Sequence, residues 1–125
     1  MFSRIHTAQA GSTRKAAEGL RLGVVRFLPR GVRKSKYARL NYFDVWLPSL
    51  APSRALLSKA RSSGMASSIF LWRYRTEMEE TEPRQMIALL AKIAKRQPIS
   101  LCGYCEDESR CHRSVLSELI HKAGK

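Results

Sequence analysis

Apolar residues recur along this chain with two periods, and the changes of period mark its elements. From Phe2 to Thr7 apolar and polar positions alternate (Phe2, Ser3, Arg4, Ile5, His6), which predicts a half-buried strand. Gly11-Ser12-Thr13 supplies a turn and an N-cap, and Arg14 to Leu20 predicts one or two helical turns. Leu22-Gly23-Val24-Val25-Arg26-Phe27-Leu28 is the best strand of the first half. Pro29-Arg30-Gly31 stops it, because proline cannot donate to a ladder and glycine permits a sharp turn. A basic loop, Val32 to Arg39, follows, then an apolar and aromatic segment (Tyr42, Phe43, Val45, Trp46, Leu47) that must pack against something.

The second half reads mainly as helices. Pro48, Pro52 and Ser53 mark a start, and Arg54 to Arg61 predicts a short helix ending at Gly64. Ser67 to Glu80 suits a second helix, with Trp72 expected in the core. Pro83 opens a third, Arg84 to Arg96, with Met86, Ile87, Leu90, Ile93 and Ala94 on one face. Pro98-Ile99-Ser100-Leu101-Cys102 is the second convincing strand. A last helix, about Ser109 to Ala123, carries a stripe of Val115, Leu116, Leu119, Ile120 and Ala123, with Gly124 as its stop. Extended back one turn, the stripe puts Cys111 and His112 on the buried side.

Strands separated by helical segments, closing strand to loop to helix, imply an α/β fold: a single small domain over residues 1–125, with a short, mostly parallel sheet flanked by helices. A chain of 125 residues, 44% hydrophobic, has material for one core and hardly for two. Ligands in such sheets collect beyond the carboxyl ends of the strands. Pro29-Arg30-Gly31 and the cysteine segment each follow a strand end, so one crevice could receive both.

Charge adds a partner class. The net charge is +13, and it is uneven: residues 1–63 hold thirteen Lys and Arg against two acids, Glu18 and Asp44, whereas residues 64–125 hold ten against eight. A basic face built by the N-terminal half attracts polyanions, with nucleic acid or a nucleotide the obvious candidate. A solvated surface, or one that balances an acidic protein, is the plainer reading. No apolar run approaches a membrane span and the N-terminus lacks a secretory apolar region, so a soluble cytoplasmic protein is expected, with no membrane partner.

The chemistry concentrates in Ser100 to Arg113, which holds all three cysteines. Cys111, beside His112 and flanked by Arg110 and Arg113 at a helix start, has the electropositive setting that stabilises a thiolate. In an enzyme Cys111 would be the nucleophile, His112 the proton carrier and Arg113 the anion clamp. Glu106-Asp107-Glu108 are expected to cap the helix. Three other readings stand beside this one. Cys102, Cys105, Cys111 and His112 match a zinc site in number, although Cys111 and His112 are adjacent and point about 100° apart on a helix. Cys105 and Cys111 could instead form a disulfide, or Cys111 and His112 could simply be buried, the histidine satisfied by the backbone. No cofactor is required, zinc being the one that the cysteines suggest.

Arg26 interrupts an apolar strand and so needs a partner or faces a cleft. With Arg30, Arg33, Lys34 and Tyr37 it makes a candidate ligand-binding set, in which Tyr37 stacks on a base while the cations meet phosphates. Trp72, Tyr74, Arg75 and Glu77 offer an aromatic and charged rim.

Taken in order, Pro29-Arg30-Gly31, Trp46, Leu50-Ala51-Pro52-Ser53, Tyr74-Arg75 with Glu77, and Cys105-Glu106 leading to Cys111-His112-Arg113 resemble the family called domain of unknown function 488, from about Leu22 to Ile120. The resemblance implies a small α/β domain with the Cys-His-Arg turn after a core strand, and it implies no established activity. Many relatives place a carboxylate in the strand corresponding to Leu22–Leu28. Val24-Val25-Arg26-Phe27 has none, so a mechanism needing a base there does not carry over. The functional expectation is a phosphate-bearing ligand, nucleic acid or nucleotide, bound at a Cys-His-Arg crevice with thiol-based catalysis. The alternative is a non-catalytic nucleic-acid or protein-binding module stapled by a metal or disulfide at its cysteine segment.

Overall fold

The computed structural model describes residues 5–37, 39–105 and 111–125. Four parallel strands form one sheet in the order β1-β4-β2-β3: β1 Ile5–Gln9, β2 Leu20–Gly23, β3 Val45–Trp46 and β4 Ile99–Gly103. Four helices complete the α/β domain: α1 Arg54–Ser63, α2 Ser67–Glu77, α3 Thr81–Ala94 and α4 His112–Ala123. None of them is long and apolar enough to cross a membrane.

Strand periodicity divides the sheet into two unlike faces. Leu22, Val24, Ile99 and Leu101 join Leu56, Tyr74, Ile87, Leu90, Val115 and Leu116 from the helices in one core. The alternate positions Arg21, Ser100 and Cys102 are also fully buried, but among polar groups. Arg21 donates to both carboxylate oxygens of Glu18 at 3.1 and 3.2 Å, to Ser12 Oγ at 3.2 Å and to the Asn41 carbonyl at 2.5 Å. Ser100 Oγ donates to the Glu18 carbonyl at 2.8 Å. The loops before β2 and β3 thus roof the second face in place of a helix layer.

Two elements differ from their predicted form for local reasons. Arg14 to Gly19 makes a turn, with no helix, and Leu20 already opens β2. Gly19 sits at φ +70° with its α-carbon against the Pro98 carbonyl, where an added Cβ would stand 2.1 Å from that oxygen. Glu18 folds back to accept from the Lys15 backbone N–H and to hold Arg21. The strand predicted over Leu22–Leu28 ends at Gly23. Val24 N–H still reaches the Cys102 carbonyl at 3.1 Å, but the next carbonyls go to side chains: Val24 O to His112, Val25 O to Trp46 Nε1 at 2.7 Å, Phe27 O to Tyr104 Oη at 2.8 Å.

The helices follow their sequence signals more closely. Ser53 Oγ caps α1 by accepting from Leu56 N–H at 3.0 Å, and Gly64 ends it at φ +62°. Pro83 lies in the first turn of α3, and Ile87, Leu90 and Ala94 are buried. Trp72 departs from expectation: it is 67% exposed. In α2 the core takes Leu71, Tyr74 and Met78, spaced by three and four residues, which turns position 72 outward.

Candidate active site

Cys111 is the N-cap residue of α4, with extended backbone at φ −99°, ψ 147°, and α4 starts where β1, β2 and β4 end. Two neighbouring residues, His112 and Arg113, tie that helix start to the carboxyl edge of the sheet. His112 Nε2 lies 2.5 Å from the Val24 carbonyl beyond β2. Arg113 donates through Nη1 to the Ala8 carbonyl in β1 and through Nη2 to the Cys105 carbonyl beyond β4 at 2.7 Å. Gly103 allows the guanidinium to lie this close, since a Cβ there would approach Arg113 Cδ to 3.2 Å.

Both anchored side chains turn their remaining nitrogen to Cys111. Arg113 Nε donates to Sγ at 3.3 Å, and His112 Nδ1 stands 3.6 Å from it. A carbonyl only accepts, so the proton of a neutral His112 is on Nε2, which leaves Nδ1 free to take the thiol proton. Tyr74 fixes the ring from the other side, edge to face at 5.1 Å, while its own hydroxyl donates to the Leu50 carbonyl at 2.6 Å. Cys111, His112 and Arg113 are all buried.

The neighbouring Cys105 thiol is the largest influence holding the Cys111 thiol well below its ordinary range; burial opposes this, and His112 and the Arg113 backbone N–H add to it. The same contact, with burial, pushes Cys105 upward. A proton leaving the pair therefore leaves from Cys111. Arg113 has no carboxylate partner among the described residues, so the Cys111 sulfur is the natural place for the balancing negative charge.

Several expected roles change. Arg113 is not an outward anion clamp: its nitrogens are engaged by a sulfur and two carbonyls, and it is 2% exposed. No group of three or more His, Cys, Asp or Glu fit to hold a metal, the set Cys102, Cys105, Cys111 and His112 included, occurs among the described residues. Cys102 belongs to the Arg21 face of the sheet, where burial pushes its thiol up to about 11. The three cysteines are free, so the Cys105–Cys111 pair is present as thiols. Arg110 and the capping acids Glu106, Asp107 and Glu108 lie outside the described residues.

Among the ligand-binding candidates, Arg26 donates to the Pro52 and Ala51 carbonyls at 3.1 and 3.3 Å and borders a cavity of about 230 Å³ whose wall includes Glu77, Glu80 and Glu82. That acidic wall disfavours a phosphate. Tyr37 is buried against Phe43, centroids 5.1 Å apart and edge to face, so it offers no open ring for a base to stack on. Arg30, Arg33 and Lys34 remain exposed. Tyr104, next to Cys105, donates to the Phe27 carbonyl just before that segment begins.

The sequence reading missed the carbonyls of Ala8, Val24 and Cys105 as anchors, since no side-chain motif announces a backbone acceptor. It missed the buried Arg21–Glu18 pair as well, although an arginine alternating with Leu20 and Leu22, close to one of only two acids in the first half, was the available signal.

The chain is 29% identical over 104 residues to the "Uncharacterized protein YeaO" of Escherichia coli (strain K12), an alignment that covers 83% of this chain and 85% of that protein. No solved structure matches it. The family model described as "Active DUF488-N3 subclade" matches residues 5–124, and the chain belongs to that family.

Proposed function

We propose that this protein carries out thiol-based catalysis on a phosphate-bearing ligand, a nucleotide or nucleic acid, with Cys111 as the nucleophile. The observation that carries this reading is the placement of Cys111 Sγ between Arg113 Nε at 3.3 Å and His112 Nδ1 at 3.6 Å. Arg113 supplies the charge that stabilises a thiolate, and His112 takes the thiol proton and returns it to a leaving group. Ligand attraction falls to the exposed Arg30, Arg33 and Lys34 and to the +13 net charge.

A pH titration of thiolate ultraviolet absorbance, comparing the reduced protein with Cys111→Ser, tests the nucleophile. One thiolate ionising well below the roughly 8.5 of a free thiol, and absent from the variant, is the expected result. Identical titrations would remove Cys111 from this role. The ligand is tested with a homopolymeric single-stranded RNA across a salt series, where several phosphate contacts require affinity to fall steeply with salt. Replacing Arg33 and Lys34 by Glu should flatten the slope by about 2.

The 1% exposure of Cys111 favours a second reading, in which the turn is structural and the basic surface alone is functional. Cys111→Ser then leaves RNA binding intact and abolishes no turnover, whereas catalysis requires the serine variant to bind without turning over.

A further inference from the structure

Among the candidate features, the cleft of about 320 Å³ bordered by Trp72 and Lys59, and the groove of about 640 Å³ bordered by Met78, Ile87 and Leu119, have nothing in the structure to indicate an occupant. The unused thiol of Cys105 carries more.

Cys105 is exposed while Cys111 is buried, and Cys105 is the foremost influence on the Cys111 thiol. One guanidinium holds both residues: Arg113 donates Nε to the Cys111 sulfur and Nη2 to the Cys105 carbonyl. The Cys105 backbone is therefore anchored by the same guanidinium that holds the Cys111 sulfur. Cys102 is excluded from this exchange, being fully buried on the opposite face of the sheet beside Arg21 and Glu18.

We infer that Cys105 is a resolving thiol and that a hydroperoxide converts the Cys105–Cys111 pair reversibly into a disulfide that switches off the Cys111 nucleophile. This rests on the reading of Cys111 as a thiolate. The thiolate attacks one oxygen of the hydroperoxide: an S–O bond forms, the O–O bond breaks, and the alkoxide or hydroxide leaves and takes a proton from His112 or solvent. Cys111 is now a sulfenic acid, oxidised by two electrons, and the peroxide is reduced. The Cys105 thiol then attacks the Cys111 sulfur, the S–S bond forms, and the sulfenic oxygen leaves as water with the Cys105 proton. A dithiol reductant restores both thiols by exchange.

The test treats the reduced full-length protein with hydrogen peroxide in the presence or absence of dimedone, with peptide mapping under non-reducing conditions. The expected product is a Cys105–Cys111 linked peptide, with Cys102 alkylated only after denaturation and both thiols recovered by dithiothreitol. Cys105→Ser, at an exposed position, should instead accumulate the dimedone adduct at Cys111. A dimedone adduct in the wild type without any linked peptide would overturn the resolving role and leave the thiolate reading standing. A linkage through Cys102 would also overturn it. Failure of Cys111 to react in both proteins, together with an ordinary thiol titration, would overturn the inference and the thiolate reading at once.

Discussion

Arg113 Nε and Cys111 Sγ lie 3.3 Å apart at the start of α4, and the rest of the guanidinium is fixed by two carbonyls from different strands' ends. The cation that stabilises the sulfur is therefore set by the sheet, and moving the sheet edge moves the thiol chemistry. Arg113→Lys keeps a charge but cannot serve a sulfur and two carbonyls with one planar fork. Cys111 should then titrate higher, with a change of roughly tenfold in proton affinity, and stability should fall by about 2–3 kcal/mol. Thiolate absorbance and urea unfolding measure the two effects separately.

Stability should depend on pH through the same pair. The Cys111 thiol is held below its unfolded value of about 8.5. Between the two values the unfolded chain binds more protons, so this contribution rises with pH, is fully present above about 8.5 and is lost as pH falls toward the folded value. Cys105 is held up, so above about 8.5 the native state keeps a proton that the unfolded chain has shed, and stability declines again. Relative to Cys111→Ser, the wild type should gain stability up to about pH 8.5. Urea denaturation under reducing conditions at a series of pH values gives the difference directly, and parallel curves for the two proteins would contradict it.

Gly103 is the sheet position against which Arg113 lies. Gly103→Ala places a Cβ 3.2 Å from Arg113 Cδ, so the side chain must shift by a few tenths of an ångström. The expected cost is about 1 kcal/mol, the low end for overpacking. Cys111 should titrate upward in the same sense as in Arg113→Lys. A stability loss without any change in the titration would show that the strand and the thiol are uncoupled.

The polar face of the sheet makes a separate prediction. Glu18→Gln leaves the fully buried Arg21 without its carboxylate and should cost about 3 kcal/mol, the scale for breaking a buried pair. Glu18→Gln combined with Arg21→Met should recover part of that loss. A double-mutant cycle by urea unfolding measures the coupling, while the Cys111 titration stays unchanged because the pair lies on the other face.

Local pattern alone determined much of the fold. Ser53 and Gly64 bound α1, the apolar spacing in α3 marks its buried face, and the alternation across Ile99–Cys102 marks a strand, because caps and periodicity are properties of neighbouring residues. The same local logic put Cys111 and His112 on the buried side of α4. Tertiary structure decided what local pattern cannot encode. Gly19 against Pro98 prevents a helix before β2, the carbonyls of Val24 and Val25 are claimed by distant side chains, and Trp72 faces solvent because Tyr74 and Met78 take the core. Arg113 is the clearest case: as a residue type it suggests an anion clamp, but Ala8, more than one hundred positions away, and Cys105 turn its fork inward toward the sulfur. A side chain's chemistry follows from its own atoms, whereas its direction follows from acceptors that only the folded chain brings within reach.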